Sequence, residues 1–259
     1  MIIYLISLLN EVQRREEMEK KFPGTYKEFI MIEAIDGSKL TAKEYFEKIR
    51  CHFFKKYDLM TVGEVGCSLS HMKAYEKLCN SSHDYALIIE DDIIGKDEDI
   101  EKIKKTAPKV IESFGDNLLW LVGAGRGNRL KKYVYCKNTD LENVYFVHKL
   151  SRKYITGTFS YIVTRKAAKS ILENQKLCLT LADRWNEILS KETVVLYSQI
   201  LEHPFENNSL ISIERKQMQS MRSRKRQLLV AVKEGFYNRL SKLIILSSRF
   251  NGYNQLNRK

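Results

Sequence analysis

The stretch Tyr85-Ala-Leu-Ile-Ile-Glu-Asp-Asp92 decides how the rest of the chain is read. A short, branched apolar run between polar segments predicts a buried β-strand. Its three acids then stand at the carboxyl end of a strand, where open α/β sheets bind their ligands. Glu90, Asp91 and Asp92 repel one another at such close quarters. A divalent cation carrying a phosphorylated substrate explains the crowding, and an acidic turn paired with lysines is the plainer alternative. Along a strand, Glu90 and Asp92 share a face while Asp91 points away.

Strand-like and helix-like segments alternate on both sides of this run. Ile2–Ile6, Phe29–Ile32, Leu118–Val122, Thr158–Thr164 and Thr193–Tyr197 read as strands. Glu11–Lys21, Ser68–Leu78, Asp97–Ser113, Lys166–Leu172 and Ala182–Leu189 read as helices. Thr41 followed by Glu44 is a capping box that opens a short helix over Ala42–Ile49. Aromatic and β-branched residues alternate over 133–148, predicting an antiparallel hairpin. The alternation predicts an α/β fold with a mainly parallel sheet.

With 259 residues, 44% hydrophobic content and three prolines, the chain is globular and has no flexible interdomain linker. Its net charge of +12 is unevenly placed. Residues 214–259 carry 12 Lys/Arg against two acids, which leaves 32 against 30 in 1–213. The expected organisation is a catalytic domain over 1–213 and a basic, amphipathic helical tail over 214–259. In that tail Leu229, Val232, Phe236, Leu240 and Leu243 recur at helical spacing among cations, as in a helix lying on an anionic membrane. A helix packed on the body is the other reading.

Five cysteines (51, 67, 79, 136 and 178), odd in number and without a C-x-x-C pair, read as reduced thiols of a cytosolic protein. Met1–Ile6 lacks a basic leader and reads as a core strand, not a signal peptide. The expected location is the cytoplasm, peripherally on the inner face of the cytoplasmic membrane.

Gly63-Glu-Val-Gly-Cys-Ser-Leu-Ser-His71 reads as a turn leading into a helix that presents Ser70 and His71 near its start. Its amides suit a phosphate or a sugar hydroxyl, and an ordinary capped loop fits equally. Gly123–Gly127 is glycine-rich without the Gly-Lys-Ser/Thr ending of a phosphate loop, so a turn serves as well.

Taken together these residues resemble glycosyltransferase family 25, the lipopolysaccharide-type galactosyl- and glucosyltransferases. The matching pieces are Tyr4-Leu-Ile-Ser-Leu8 with Arg14-Arg15, Ala34-Ile-Asp-Gly37, Gly63–His71, and Leu87-Ile-Ile-Glu-Asp-Asp92. Gly157-Thr-Phe-Ser-Tyr-Ile-Val163, Arg165-Lys-Ala-Ala168 and Asp183 complete the set, in family order over roughly residues 2 to 211. The resemblance implies a GT-A-type, Rossmann-like nucleotide-sugar fold, a UDP-sugar donor and inversion at the anomeric carbon. It implies Mn²⁺ or Mg²⁺ at the acid cluster, with Asp92 the direct ligand, Glu90 beside it and His203 completing the shell. It places the donor among Ser7, Arg14, Asp36, Gly63, Ser70, His71, Glu90, Asp91, Gly157 and Thr158.

Inversion by a single displacement needs a base for the acceptor hydroxyl, and a carboxylate opposite the leaving phosphate suffices. Asp183 stands at the family's spacing for that acid; a helix-start acid is its structural alternative. The expected reaction moves a hexose, galactose first, from a UDP-sugar to a lipooligosaccharide or lipopolysaccharide acceptor. Expected partners are that glycolipid or oligosaccharide and an anionic membrane surface, with no nucleic acid. Metal-dependent nucleotidyl transfer is the competing enzyme reading. Nucleic-acid binding by the tail leaves the acidic strand end unexplained.

Overall fold

In chain order the elements are β1 (Ile2–Ser7), α1 (Val12–Lys21), β2 (Phe29–Glu33), α2 (Ala42–Lys56), α3 (Val62–Cys79), β3 (Tyr85–Glu90), α4 (Asp97–Phe114), β4 (Leu118–Gly125), β5 (Tyr135–Asn138), β6 (Tyr145–Val147), β7 (Ser160–Thr164), α5 (Arg165–Leu177), α6 (Trp185–Ile188), β8 (Val194–His203) and β9 (Asn254–Gln255). They belong to a computed structural model. It describes residues 1–56, 58–125 and 133–204, then 211, 213–215, 217, 235, 237, 239–241, 243–245, 247 and 252–255.

One 9-stranded sheet carries the fold, in the order β2-β1-β3-β7-β4-β8-β6-β5-β9. The β2-β1-β3 group is parallel, as is the pair β4-β8, and β7 runs antiparallel between them. Strands β1 to β5 and β8 share one direction, while β6, β7 and β9 oppose it. The predicted α/β architecture and the 133–148 hairpin are both present, but the sheet is mixed rather than mainly parallel, because β7 inserts antiparallel between β3 and β4 and the β8-β6-β5-β9 edge is built of antiparallel pairs.

Side-chain alternation sends β3 into two layers. Ala86 and Ile88 pack with Tyr75, Leu78, Ala168 and Ile171 of α3 and α5. Leu87 and Ile89 pack with Met18 of α1 and Ile100, Ile103 and Val110 of α4. Each large aliphatic buried this way contributes about 1.5–3 kcal/mol over the exposed state. A one-residue slip would exchange the faces, so the register is strongly specified. Glu90 shares the parity of Ile88 and therefore meets the α3 side.

Several boundaries differ from expectation, each for a packing reason. Helix α3 begins at Val62, so Gly63 and Gly66 are helical rather than part of a turn, and Ser70 and His71 lie in mid-helix. A Cβ on Gly66 would come within 2.5 Å of the Ile35 carbonyl oxygen, and one on Gly37 within 1.8 Å of that of Val62. These glycines let the helix cross the 35–37 turn backbone to backbone. Thr61 and Glu64 cap the start reciprocally. Helix α2 runs on to Lys56, α6 is a single turn, and β4 absorbs Gly123 to Gly125. The remainder of the expected Gly123–Gly127 turn lies outside the described residues.

The cysteine reading is corrected. Cys51 and Cys178 form a disulfide across 127 residues, with Cα atoms 5.3 Å apart, leaving Cys67, Cys79 and Cys136 free. Packing of α2 and the end of α5 beside α3 brings the two together, a proximity no local spacing encodes. With it goes the thiol-based argument for a reducing compartment.

Beyond 213 the chain touches the body at several points. The Arg215 guanidinium pairs with Glu64, the Gly63 amide donates to Glu214, and β9 extends the sheet along β5. Ser241 and Ile245, one helical turn apart, are buried. Most of the tail's expected amphipathic row, from Leu229 to Phe236, lies outside the described residues. Among the described residues no helix is long and apolar enough to cross a membrane.

Candidate active site

Strand β3 ends at Glu90, and this splits the acidic triplet. Asp91 and Asp92 occupy the following turn, so strand alternation does not pair Glu90 with Asp92 as expected. The next residues are pinned elsewhere: Ile94 exchanges two backbone hydrogen bonds with Glu202 at the end of β8. That bridge carries His203 to the acids. Its Nε2 lies 3.1 Å from Asp92 Oδ2, and its ring packs 5.1 Å from Phe159.

Arg14 projects from α1 onto the same turn. Its Nη1 donates to Asp91 Oδ1 at 3.0 Å and lies 3.7 Å from Asp92 Oδ2. Burial raises the pKa of Asp91 against the opposing pull of Ser7 and Arg14. For Asp92, burial works toward protonation, but the hydrogen bond and charge of His203, helped by Arg14, outweigh it and lower the pKa. For His203, burial works toward the neutral ring, yet Asp92 prevails and raises the pKa. The Asp92–His203 contact thus favours the charged form of each partner, and a cation bound at the corner would take the place of the ring proton. Arg15, beside Arg14, holds Ser7 Oγ at 3.0 Å and the carbonyl of Leu9 at 2.8 Å, fixing the end of β1.

Glu90 has a different company. Its Oε1 accepts from Thr158 Oγ1 and lies 3.3 Å from His71 Nε2. His71 Nδ1 is 2.7 Å from the Tyr161 hydroxyl, which is 2.7 Å from that of Tyr75. His71, Tyr75 and Tyr161 are all essentially inaccessible. Cys67, one turn before His71, sits close to both Glu90 and Asp183. Burial chiefly, and those two carboxylates next, push its thiol pKa well up. Asp183 and Glu90 thus both act on Cys67. Asp183 Oδ2 accepts the Gly157 amide at 3.0 Å, and Gly157 adopts φ +102°, a conformation that favours glycine.

Three expected site residues are engaged in the scaffold instead. Asp36 Oδ1 caps the next turn through the amide and hydroxyl of Ser38. Ser70 Oγ receives the Ile35 amide and donates to the Gly66 carbonyl. The Gly63 amide, at the helix start, meets Glu214. Tyr75 and Tyr161 are given no site role by the sequence reading, and Cys67 lies within its Gly63–His71 segment. Tyr75 follows His71 at i+4 on one helix face, a signal present in the sequence; Tyr161 reaches them only through the fold.

Two donor groups are candidates for a cation. Asp92 Oδ1 is a buried oxygen with no hydrogen-bond partner, next to the converging Asp92 Oδ2 and His203 Nε2. An orphaned buried carboxylate oxygen is costly unless something meets it. Oxygen and imidazole donors suit Mn²⁺, so the residues fit the expected ion. The second group is Cys67, His71 and Glu90, with ligand atoms within 4.8 Å of one another. There the thiol is held protonated, and Thr158 and Tyr161 already occupy its partners, so the Asp92–His203 corner fits a hard cation better.

Comparison with known proteins bears on the whole arrangement. The profile of glycosyltransferase family 25 (LPS biosynthesis protein) matches residues 1–185. A glycosyltransferase of Acanthamoeba polyphaga mimivirus is 29% identical over 174 residues, covering 66% of this chain and 52% of its own. Lipooligosaccharide biosynthesis protein lic2B of Haemophilus influenzae is 28% identical over 182 residues, covering 66% and 62%. Procollagen galactosyltransferase 2 of Homo sapiens is 21% identical over 176 residues, covering 66% and 27%. The chain thus spans about half the length of the viral relative.

Proposed function

The chain belongs to glycosyltransferase family 25, and from that premise we propose an inverting, metal-dependent transfer of a hexose, galactose first, from a UDP-sugar to a lipooligosaccharide- or lipopolysaccharide-type acceptor. The observation that carries this reading is the unpartnered buried oxygen of Asp92 beside His203. The Haemophilus relative's name supports the acceptor class, and the human relative's name supports galactose.

Asp92 and His203 would hold Mn²⁺ or Mg²⁺, with Glu90 at the margin. A divalent cation there supplies the positive charge that offsets the leaving diphosphate. Without such charge, a diphosphate oxygen about 4 Å from one carboxylate is repelled by roughly 4 kcal/mol at an effective dielectric near 20. Arg14 neutralises Asp91 on the donor side. Thr158 and His71 hold Glu90 in place, so that its charge stays aimed at the donor. Gly157 fixes Oδ2 of Asp183 and leaves Oδ1 to take the acceptor hydroxyl proton. The acceptor oxygen bonds to the anomeric carbon as the bond to UDP breaks, and the proton resides on Asp183.

The catalytic unit is 1–213, with 214–259 a basic segment that adds attraction to an anionic membrane surface, where a glycolipid acceptor resides. The test is UDP release across a panel of nucleotide sugars, with and without Mn²⁺, followed by acceptor screening. Mn²⁺-dependent UDP release, greatest with UDP-galactose, is expected. Failure of every UDP-hexose in the presence of Mn²⁺ would refute the reading.

A further inference from the structure

Helix α2 faces outward in an unusual way. Of its side chains only Ile49 and His52 are buried, while Phe46 is 58% exposed, Phe53 40%, and Phe54 63%, with Leu59 just beyond at 38%. Phe46, Arg50, Phe53 and Phe54 follow at i, i+4, i+7 and i+8, so they form one stripe. Together with Lys43 and Leu59 they line a groove of about 390 Å³. Protruding phenylalanines cost solubility, and a patch of them rimmed by charge marks an interaction surface.

Lys43 and Arg50 line the groove beside Glu47, and Lys48, Lys55 and Lys56 add positive charge elsewhere on α2. Glu44 is already engaged by the amide and hydroxyl of Thr41. Aromatic side chains on one helix face with Lys and Arg around them are the chemistry of a helix lying in an anionic lipid interface. A second copy of the chain fits less well, because a two-fold contact would set two cationic helices against each other.

The position of α2 relative to the chemistry adds a second, independent argument. Its Cys51 is bonded to Cys178, and its Lys56 Nζ lies 3.0 Å from Glu187 Oε1. Those two anchors bracket Asp183 along the chain. A surface gripped by α2 is therefore held against the segment that carries the candidate base.

We propose that the α2 stripe, Phe46, Phe53 and Phe54 with their flanking cations, docks directly on an anionic lipid bilayer and sets the Asp183 side of the site toward it. This rests on the membrane reading above but transfers the main contact from the tail to α2. The stripe inserts its rings at the acyl boundary while Lys43 and Arg50 meet headgroup phosphates.

The experiment is flotation of the full-length protein with phosphatidylcholine vesicles, with and without about a quarter phosphatidylglycerol. The wild type is expected to float with the anionic vesicles and poorly with the neutral ones. Phe46→Ser combined with Phe54→Ser should lower the floated fraction about 10-fold or more, with UDP release to a soluble acceptor unchanged. Lys43→Gln with Arg50→Gln, which removes no apolar contact, should weaken binding and its salt dependence and serves if the serine pair unfolds. Replacing Arg222, Arg224, Lys225 and Arg226 by Gln is the tail control and should leave most binding in place. Full binding by the serine pair, with loss only in the tail control, would overturn the α2 assignment and leave the membrane reading standing. A wild type that floats with neither vesicle would remove both. Light scattering that shows a dimer dissolved by the serine pair would make the stripe a copy-to-copy contact and overturn the inference.

Discussion

Glu90 sits among Thr158, His71, Tyr161 and Tyr75, each already hydrogen-bonded, whereas Asp92, two residues on, keeps a buried oxygen with no partner beside His203. The two acids come from one stretch of eight residues but meet opposite environments. Glu90 is the last residue of a strand whose parity sends it to α3. Asp92 belongs to a turn, aimed by the Ile94–Glu202 bridge onto the end of β8. A satisfied network fixes a side chain, and an unsatisfied one leaves capacity for a ligand. Glu90 is therefore assigned a positioning role and Asp92 the binding role.

The substitutions that break this contrast differ in size. Asp92→Asn keeps the shape but removes the carboxylate charge at the open corner. It is expected to lower UDP-sugar transfer by about 10³-fold, the loss of roughly 4 kcal/mol of transition-state stabilisation, with the native fold retained by circular dichroism. Normal turnover by this variant would end the metal role. Asp183→Asn removes the proposed proton acceptor held by the Gly157 amide. Transfer should fall about 10²-fold or more while UDP binding, measured by calorimetry, stays as in the wild type. Transfer at the native rate would require another base.

Next in size is the support behind Asp183. Cys51→Ser with Cys178→Ser opens a link across 127 residues. A loss of about 3 kcal/mol, or roughly 6–12 °C in Tm for a chain of this size, is expected by thermal unfolding. An unchanged Tm in oxidising buffer would mean the bond contributes nothing. Smallest is Tyr161→Phe, which deletes the hydroxyl between His71 and Tyr75. Leaving those buried groups short of a partner should cost about 1–3 kcal/mol in chemical denaturation, with transfer falling only a few-fold. A fall as deep as that of Asp92→Asn would show that the closed network is itself the reacting site.

The half of this contrast that lies on β3 was legible in the sequence. The branched run Tyr85–Ile89 identifies its strand, and the acids mark the strand end. The start of α3 was missed, although the capping pair Thr61 and Glu64 signals it, because Gly63 and Gly66 mimic a loop and only the close approach of the 35–37 turn explains them. What could not be read were the long-range meetings. His203 lies 111 residues from Asp92, Tyr161 lies 90 from His71, and Cys178 lies 127 from Cys51. Each depends on strand order, in which β7 and β8 enter the sheet beside much earlier strands, and no local period carries that order.

The central claim concerns which acid holds the cation, and Mn²⁺ binding reports it directly. Titration of Mn²⁺ by electron paramagnetic resonance, with UDP present, should give saturable binding to the wild type and to Tyr161→Phe. For Asp92→Asn the affinity should be about 10-fold weaker or worse. Equal Mn²⁺ affinity in Asp92→Asn, with the loss appearing instead in Glu90→Gln, would contradict the assignment and move the ion to the His71 side of the triplet.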